Sequence, residues 1–273
     1  MREKISSKTL TLIIIGLVAA LVFAMAIPAF AASGESAGVT GAFQEMKDDI
    51  YNVLIKNDNY KHITKGLLVT IEITLVALVI GLVLGFVIAI IRSTYDKTGK
   101  LYILNAICKL YLTVVRGTPV IVQLLIIYYL WLGKPSIGLT PEVTAMIAFG
   151  INSGAYVAEI VRSGIMSIDN GQFEAGRSLG FSYTKTMIYI IMPQAFKNVL
   201  PALANELIVL LKETSVASFI AVKDMMKGAN ALVGFTYNMN IPYITVAIIY
   251  LVLVLLLQKG VNLIERRLRN SDH

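Results

Sequence analysis

Charge is scarce in this chain. Only 15% of its 273 residues are Asp, Glu, Lys or Arg, against 56% hydrophobic, and the mean hydropathy is +0.73. A soluble domain of this length carries about 25% charge, so the composition excludes an ordinary soluble protein and indicates one that lives in a bilayer. Cysteine is nearly absent: Cys108 stands alone, which rules out an intrachain disulfide. There are two histidines, His62 and His273, both outside the apolar runs, so a histidine-based metal site is not expected. No phosphate-binding loop of the form G-x-x-x-x-G-K-[ST] is present. Gly99-Lys100 and Gly133-Lys134 lack both the upstream glycine and the following hydroxyl residue. The chain is therefore expected to hold no cofactor and to hydrolyse no ATP by itself. It also lacks a Ser, Cys or His pairing that would mark an intramembrane protease.

What the chain has is long apolar runs. Residues 9–31 contain no charge and follow Arg2, Lys4 and Lys8. They are long enough to cross a bilayer at about 20 residues per span, and Ala29-Phe30-Ala31 also fits a signal cleavage site. Residues 1–32 therefore read as a signal peptide or as a first transmembrane helix. Residues 33–63 read as an extracytoplasmic polar linker, with 34–41 as its loose part and helical spacing over 43–55. Further apolar runs cover 66–91, 120–132, 141–161, 198–222 and 241–257, with Glu72 alone in the first of them. Residues 101–115 are apolar but interrupted by Lys109, and are expected to run obliquely. Residues 223–240 read as an outer loop. Tyr128, Tyr129 and Trp131 read as an interfacial aromatic belt. The expected fold is all-α and polytopic.

The net charge of +7 raises nucleic acid as a partner, but the basic residues flank apolar runs instead of forming one patch. They fix an orientation instead. The N-terminus, the 92–116 region, the 162–197 region and the tail together hold 16 of the 24 Lys and Arg residues. The opposite side holds 7, and Lys212 lies within a run. The richer side is expected to be cytoplasmic.

The most polar stretch between two apolar runs is 172–201. Asp169 followed by Gln172 is a capping-box pattern, Glu174 lies in a first turn where the helix dipole favours it, and Gly180 is placed to end the helix. Phe173, Gly176 and Leu179 recur at three-residue steps and are expected to share one face. The segment Glu174-Ala175-Gly176-x-x-x-Gly180, then nine residues, then Ile190-x-Met192-Pro193, resembles the EAA loop of ABC importer permeases. Gly176 stands where that family usually has Ala, and Met192 where it usually has Leu. The resemblance extends to Arg116-Gly117-Thr118-Pro119 with Gln123, to Asn152-Ser153-Gly154-Ala155-Tyr156 with Glu159 and Arg162, to Pro193-Gln194-Ala195, to Asn205-Glu206 and to Lys212-Glu213-Thr214-Ser215. In that order these patterns are similar to the polar amino-acid branch of the family and cover residues 64–265.

The resemblance implies a type I transmembrane core of five helices over 64–265, a cytoplasmic tail over 266–273, and a place in the cytoplasmic membrane. It implies a homodimer or heterodimer with a second permease subunit, an extracytoplasmic solute-binding protein, an amino-acid solute, and a separate ABC ATPase subunit that holds ATP and Mg. It also implies that Gln172, Phe173, Glu174, Ala175, Gly176, Leu179 and Gly180 form the ATPase-coupling loop, within 169–193. The residues 1–63 fall outside the resemblance.

Polar groups inside spans are costly and are candidates for the solute path. Glu159 and Arg162 are three apart and can pair along one face. Asn205 and Lys212 are seven apart on one face, with Glu206 and Glu213 on the next. Gln123, Asn152, Glu159, Asn205, Glu206 and Lys212 are the candidate path residues, and Glu159, Glu206 and Lys212 could meet an ammonium and a carboxylate. Helix–helix hydrogen bonding is the competing account. A secondary, ion-coupled transporter would need internal repeats or broken helices, and no repeat is visible. A membrane-anchored receptor would need an ectodomain larger than 33–65.

Overall fold

The structure, a computed structural model, describes residues 39–134 and 136–270. The expected signal peptide or first helix over 1–32 lies outside the described residues. Every regular element among them is helical. They fall into two units, one of residues 39–62 with Ala229–Ile248 and one of Ile63–Gly228 with residues 249–270.

In the first unit, α1 covers Val39–Ile50 and runs on into one wide turn at Tyr51–Ile55. The helix therefore begins inside the 34–41 segment expected to be loose. Asn59 closes the end by donating to the Val53 carbonyl at 3.0 Å, and Asn238 donates to Asp49 at 3.1 Å.

The second unit is built around α2, Tyr60–Thr98. Its 39 residues measure about 58 Å at 1.5 Å per residue, longer than the roughly 30 Å needed to cross a bilayer core. α3 is Tyr102–Gly117, unbroken through Lys109. It stops at Thr118, which Pro119 forces into extended backbone. α4, Val120–Ile126, leaves at an angle of 109° and continues as wide turns to Leu132. Gln123 braces this corner: its amide nitrogen lies 2.7 Å from the Val115 carbonyl and 2.8 Å from the Thr118 hydroxyl. α5, Pro141–Met166, starts on Thr140, whose hydroxyl accepts from the Val143 amide, with Pro141 in the first turn.

α6 is Asn170–Ser178 and α7 is Tyr183–Thr186, followed by a wide turn at Met187–Ile191. α8 is Met192–Glu213, then a tighter turn through Thr214–Ile220. α9, Met225–Thr236, occupies most of what was expected to be an outer loop, and α10 is Asn240–Asn270. Among the described residues, three helices are long and apolar enough to span a membrane, α2, α5 and α10, or four if the bent α3–α4 pair is one span. Five were expected. α8 falls short on composition because Lys197, Glu206, Lys212 and Glu213 interrupt it. Its 22 residues still reach about 33 Å.

α2 and α5 touch through glycine. A methyl group on Gly81 would come within 2.8 Å of the Ser153 hydroxyl, and one on Gly85 within 2.4 Å of Val157. From the other side, one on Gly150 would meet Ile80 at 2.6 Å. Gly81 and Gly85 are four apart, as are Gly150 and Gly154, so each helix offers a small-residue stripe and the backbones close in. Around this seam sit two apolar clusters. One joins Ile73, Leu124, Phe149, Leu210 and Ile220. The other joins Ala89, Val161, Ile165, Ile191 and Val199. The second holds α8 against α5, where Gly164 admits Val199.

Candidate functional site

α6 is defined by its ends. Asp169 caps the start, its carboxylate accepting from the Gly171 amide at 2.6 Å. The expected capping box is not closed. The Gln172 side chain instead accepts from the Gln194 amide at 3.4 Å, so α8 has taken the group that would have reached back. At the other end Gly180 adopts φ +77°. Its amide donates to the Arg177 carbonyl at 2.9 Å, and the Phe181 amide donates to the Gly176 carbonyl at 3.0 Å. That pair of bonds satisfies carbonyls a helix end would leave open and is the reason for glycine there.

The faces of α6 divide its residues. Phe173 and Gly176 turn inward. The Phe173 ring stacks on Tyr183, 6.3 Å between centroids at 13°, and Lys97 Nζ lies over the ring, 4.8 Å from its centroid. Gly176 is buried, and a Cβ there would come within 2.6 Å of Thr186. Leu179 does not join them: it is 71% exposed. Leu179 is the C-cap, at φ −79° and ψ 5°, so the chain has left the helical path and three-residue spacing no longer holds. Gln172, Glu174, Ala175, Leu179 and Gly180 are exposed.

Lys97 was not singled out in the sequence. It also donates to Asn170 at 2.6 Å, tying α6 to the end of α2. No local pattern announces a contact between residues 73 apart.

The six candidate path residues do not converge on one site. Glu159 is the hub of a charged cluster. It pairs with Arg92, with Arg162 at 3.2 Å and with Arg116 at 3.9 Å, and Arg162 reaches Asp96 at 3.5 Å. The Glu159–Arg162 pair matches the expectation, whereas Arg92, Arg116 and Asp96 come from other elements. Gln123 accepts from Asn152 at 3.0 Å, so these two belong to the α3–α4 corner. Glu206 is buried and accepts from the Ser153 hydroxyl at 2.9 Å. Asn205 and Lys212 are exposed along one side of α8.

Comparison with known proteins is consistent across sequence and structure. The chain is 40% identical over 213 residues to the arginine transport system permease protein ArtQ of Bacillus subtilis, covering 77% of this chain and 94% of that one. It is 35% identical over 218 residues to the L-cystine transport system permease protein TcyB of the same species, covering 79% and 90%. Among solved structures it resembles an amino acid ABC transporter crystallised with histidines, at a TM-score of 0.71 and 39% identity, over 78% of this chain and 97% of that one. Residues 81–270 match the family described as the binding-protein-dependent transport system inner membrane component. A chain whose described residues are helical, with membrane-length apolar helices, matched to this family over most of its length, is an inner-membrane transport protein and belongs to that family.

Proposed function

We propose that this chain is the permease subunit of an importer that carries polar amino acids, driven by ATP hydrolysed in a separate subunit. The observation that carries the reading is α6: a nine-residue helix, capped at both ends, with Glu174, Ala175 and Leu179 exposed and Phe173 and Gly176 anchored inward. A helix anchored from behind and exposed in front is suited to receive a push. The relatives named for arginine and L-cystine, and the solved amino acid transporter, support an amino-acid solute.

In this reading an ABC ATPase, holding ATP and Mg, docks on residues 169–193, which form the cytoplasmic loop. Its closure moves α6, and with it α2 and α8, so that two permease subunits alternate between outward and inward access. A solute-binding protein delivers the amino acid from the opposite side. Residues 64–265 form the transport domain, 33–63 the extracytoplasmic spacer and 266–273 the cytoplasmic tail. Asn205 and Lys212 on the exposed side of α8 face the path, while Glu206, tied to Ser153, shapes the wall behind them.

The test is co-purification of the ATPase with the chain carrying Glu174→Lys. The expected result is loss of the ATPase with the chain still inserted in the membrane. Unchanged association would overturn the docking assignment.

A further inference from the structure

Between α3 and α5, on the side where α2 ends, lies an open cavity of about 580 Å³. Arg92, Lys109, Arg116, Thr113, Tyr156 and Glu159 line it. Three of these are cations and one is a carboxylate. That carboxylate is already engaged by Arg92 and by Arg162, and Arg162 in turn pairs with Asp96. Four cations thus face two carboxylates, leaving a surplus of two positive charges.

The surplus falls on Lys109 and Arg116. Arg116 reaches Glu159 only at 3.9 Å and lies 5.7 Å from the Tyr156 ring. Lys109 has a ring, Tyr95, at 6.0 Å, and no ion pair among the described residues. Arg92 Nε is buried without a hydrogen-bond partner among them. Lys109, Thr113 and Arg116 are spaced four and three apart, so they form one stripe of α3. All three are exposed.

Uncompensated charge within a membrane-spanning bundle is expensive unless an opposite charge meets it. Arg and Lys on one stripe can together clasp the paired oxygens of a carboxylate or a phosphate. We propose that this cavity binds an oxyanion, received by Lys109 and Arg116 with Arg92 behind them. Two sources supply that chemistry: the phosphate of an anionic phospholipid and the α-carboxylate of a solute. The lipid has the better fit in depth. Glu159 and Arg92 are each within two turns of the ends of α5 and α2 on the side richer in Lys and Arg, the level of inner-leaflet headgroups. Exposed Ile107, Leu110 and Val114 on the same helix provide an apolar surface for acyl chains. The lipid arm is independent of the transport reading.

The experiment measures the acetylation rate of Lys109 in the full chain by mass spectrometry, relative to Lys100 in the same molecules. Lys100 is an exposed lysine outside the cavity and reports the general surface potential. The chain is placed in phosphatidylcholine nanodiscs, in phosphatidylglycerol nanodiscs, and in phosphatidylcholine nanodiscs with saturating L-arginine and L-cystine. Phosphatidylglycerol is expected to slow Lys109 relative to Lys100 by about thirtyfold, the effect of two basic residues acting together on one anionic headgroup. Protection by the amino acids alone would assign the oxyanion to the solute. Equal relative rates in all three conditions would overturn the site. Arg116→Gln, in folded protein, is expected to abolish whichever protection the wild type shows, and protection that survives it would remove Arg116 from the site.

Discussion

Lys97 at the end of α2 donates to Asn170, the first residue of α6, across 2.6 Å. The same ammonium covers the Phe173 ring one turn later. The longest helix among the described residues is thereby fastened to the helix proposed to receive the ATPase. Lys97→Ala is expected to leave the ATPase bound but to lower solute uptake per ATP hydrolysed by about fivefold, as loss of one charge-assisted bond of about 1 kcal/mol or more would do. Lys97→Arg is expected to restore most of the ratio. Reconstituted vesicles assayed for both quantities decide it, and an unchanged ratio in Lys97→Ala would show that α2 is not in the linkage.

Gly176 is paired with Thr186. A methyl at 176 would come within 2.6 Å of Thr186 Cγ2 and 2.7 Å of its hydroxyl, both closer than real Cβ contacts allow. Gly176→Ala is expected to cost about 1–3 kcal/mol through overpacking, seen as a lower melting temperature in detergent. In a Thr186→Ala background both clashing atoms are gone, and the same substitution is expected to be close to neutral. A double-mutant cycle measures this coupling directly. Additivity of the two changes would refute the pairing.

Glu159 is three-quarters buried and Arg92 more so, at 24% and 14% side-chain exposure. Removing one partner of such a pair leaves the other charged and enclosed. Glu159→Gln is expected to destabilise the chain by about 3 kcal/mol, with Arg92, Arg116 and Arg162 all losing their shared carboxylate. A thermal melt compared with Asp96→Asn separates the cases. Among the described residues Asp96 pairs with Arg162 alone, at 3.5 Å, so its loss is expected to cost less.

Asp224 lies outside the spans and is fully buried. It starts α9 by accepting from the Lys227 amide at 2.9 Å, while its second oxygen has no partner among the described residues. Burial pushes its carboxyl up from 3.8 to about 6, against the opposing pull of the Lys227 and Met226 amides. A carboxyl raised on folding favours the folded state below the unfolded value, and that contribution is lost as pH rises through about 6. The chain is thus expected to be more stable at pH 5 than at pH 7.5 by about 1.4 kcal/mol, roughly half of the effect reached in full only below the unfolded value. Asp224→Asn keeps a good cap and is expected to raise stability at pH 7.5 and flatten the pH dependence. A melt series showing the same slope in wild type and variant would exclude Asp224 as the source.

Composition and local pattern were enough for a good part of this protein. Low charge and long apolar runs place it in a bilayer, because a backbone without water must close its own hydrogen bonds in helices. The start of α6 at Asp169 and its end at Gly180 were legible for the same reason: caps are made by residues within a few positions of one another. The length of α2 beyond its apolar run, the helical content of 225–236 and the exposure of Leu179 were not legible, since each depends on what the segment packs against or on where the helix path ends. The tertiary structure alone decided the charged hub, in which Glu159 meets Arg92 from 67 residues away. It also decided the glycine seam of α2 and α5 and the fastening of Lys97 to Asn170. Such contacts have no period or spacing to read. They exist because two helices approach closely enough for side chains distant in the chain to exchange bilayer for one another.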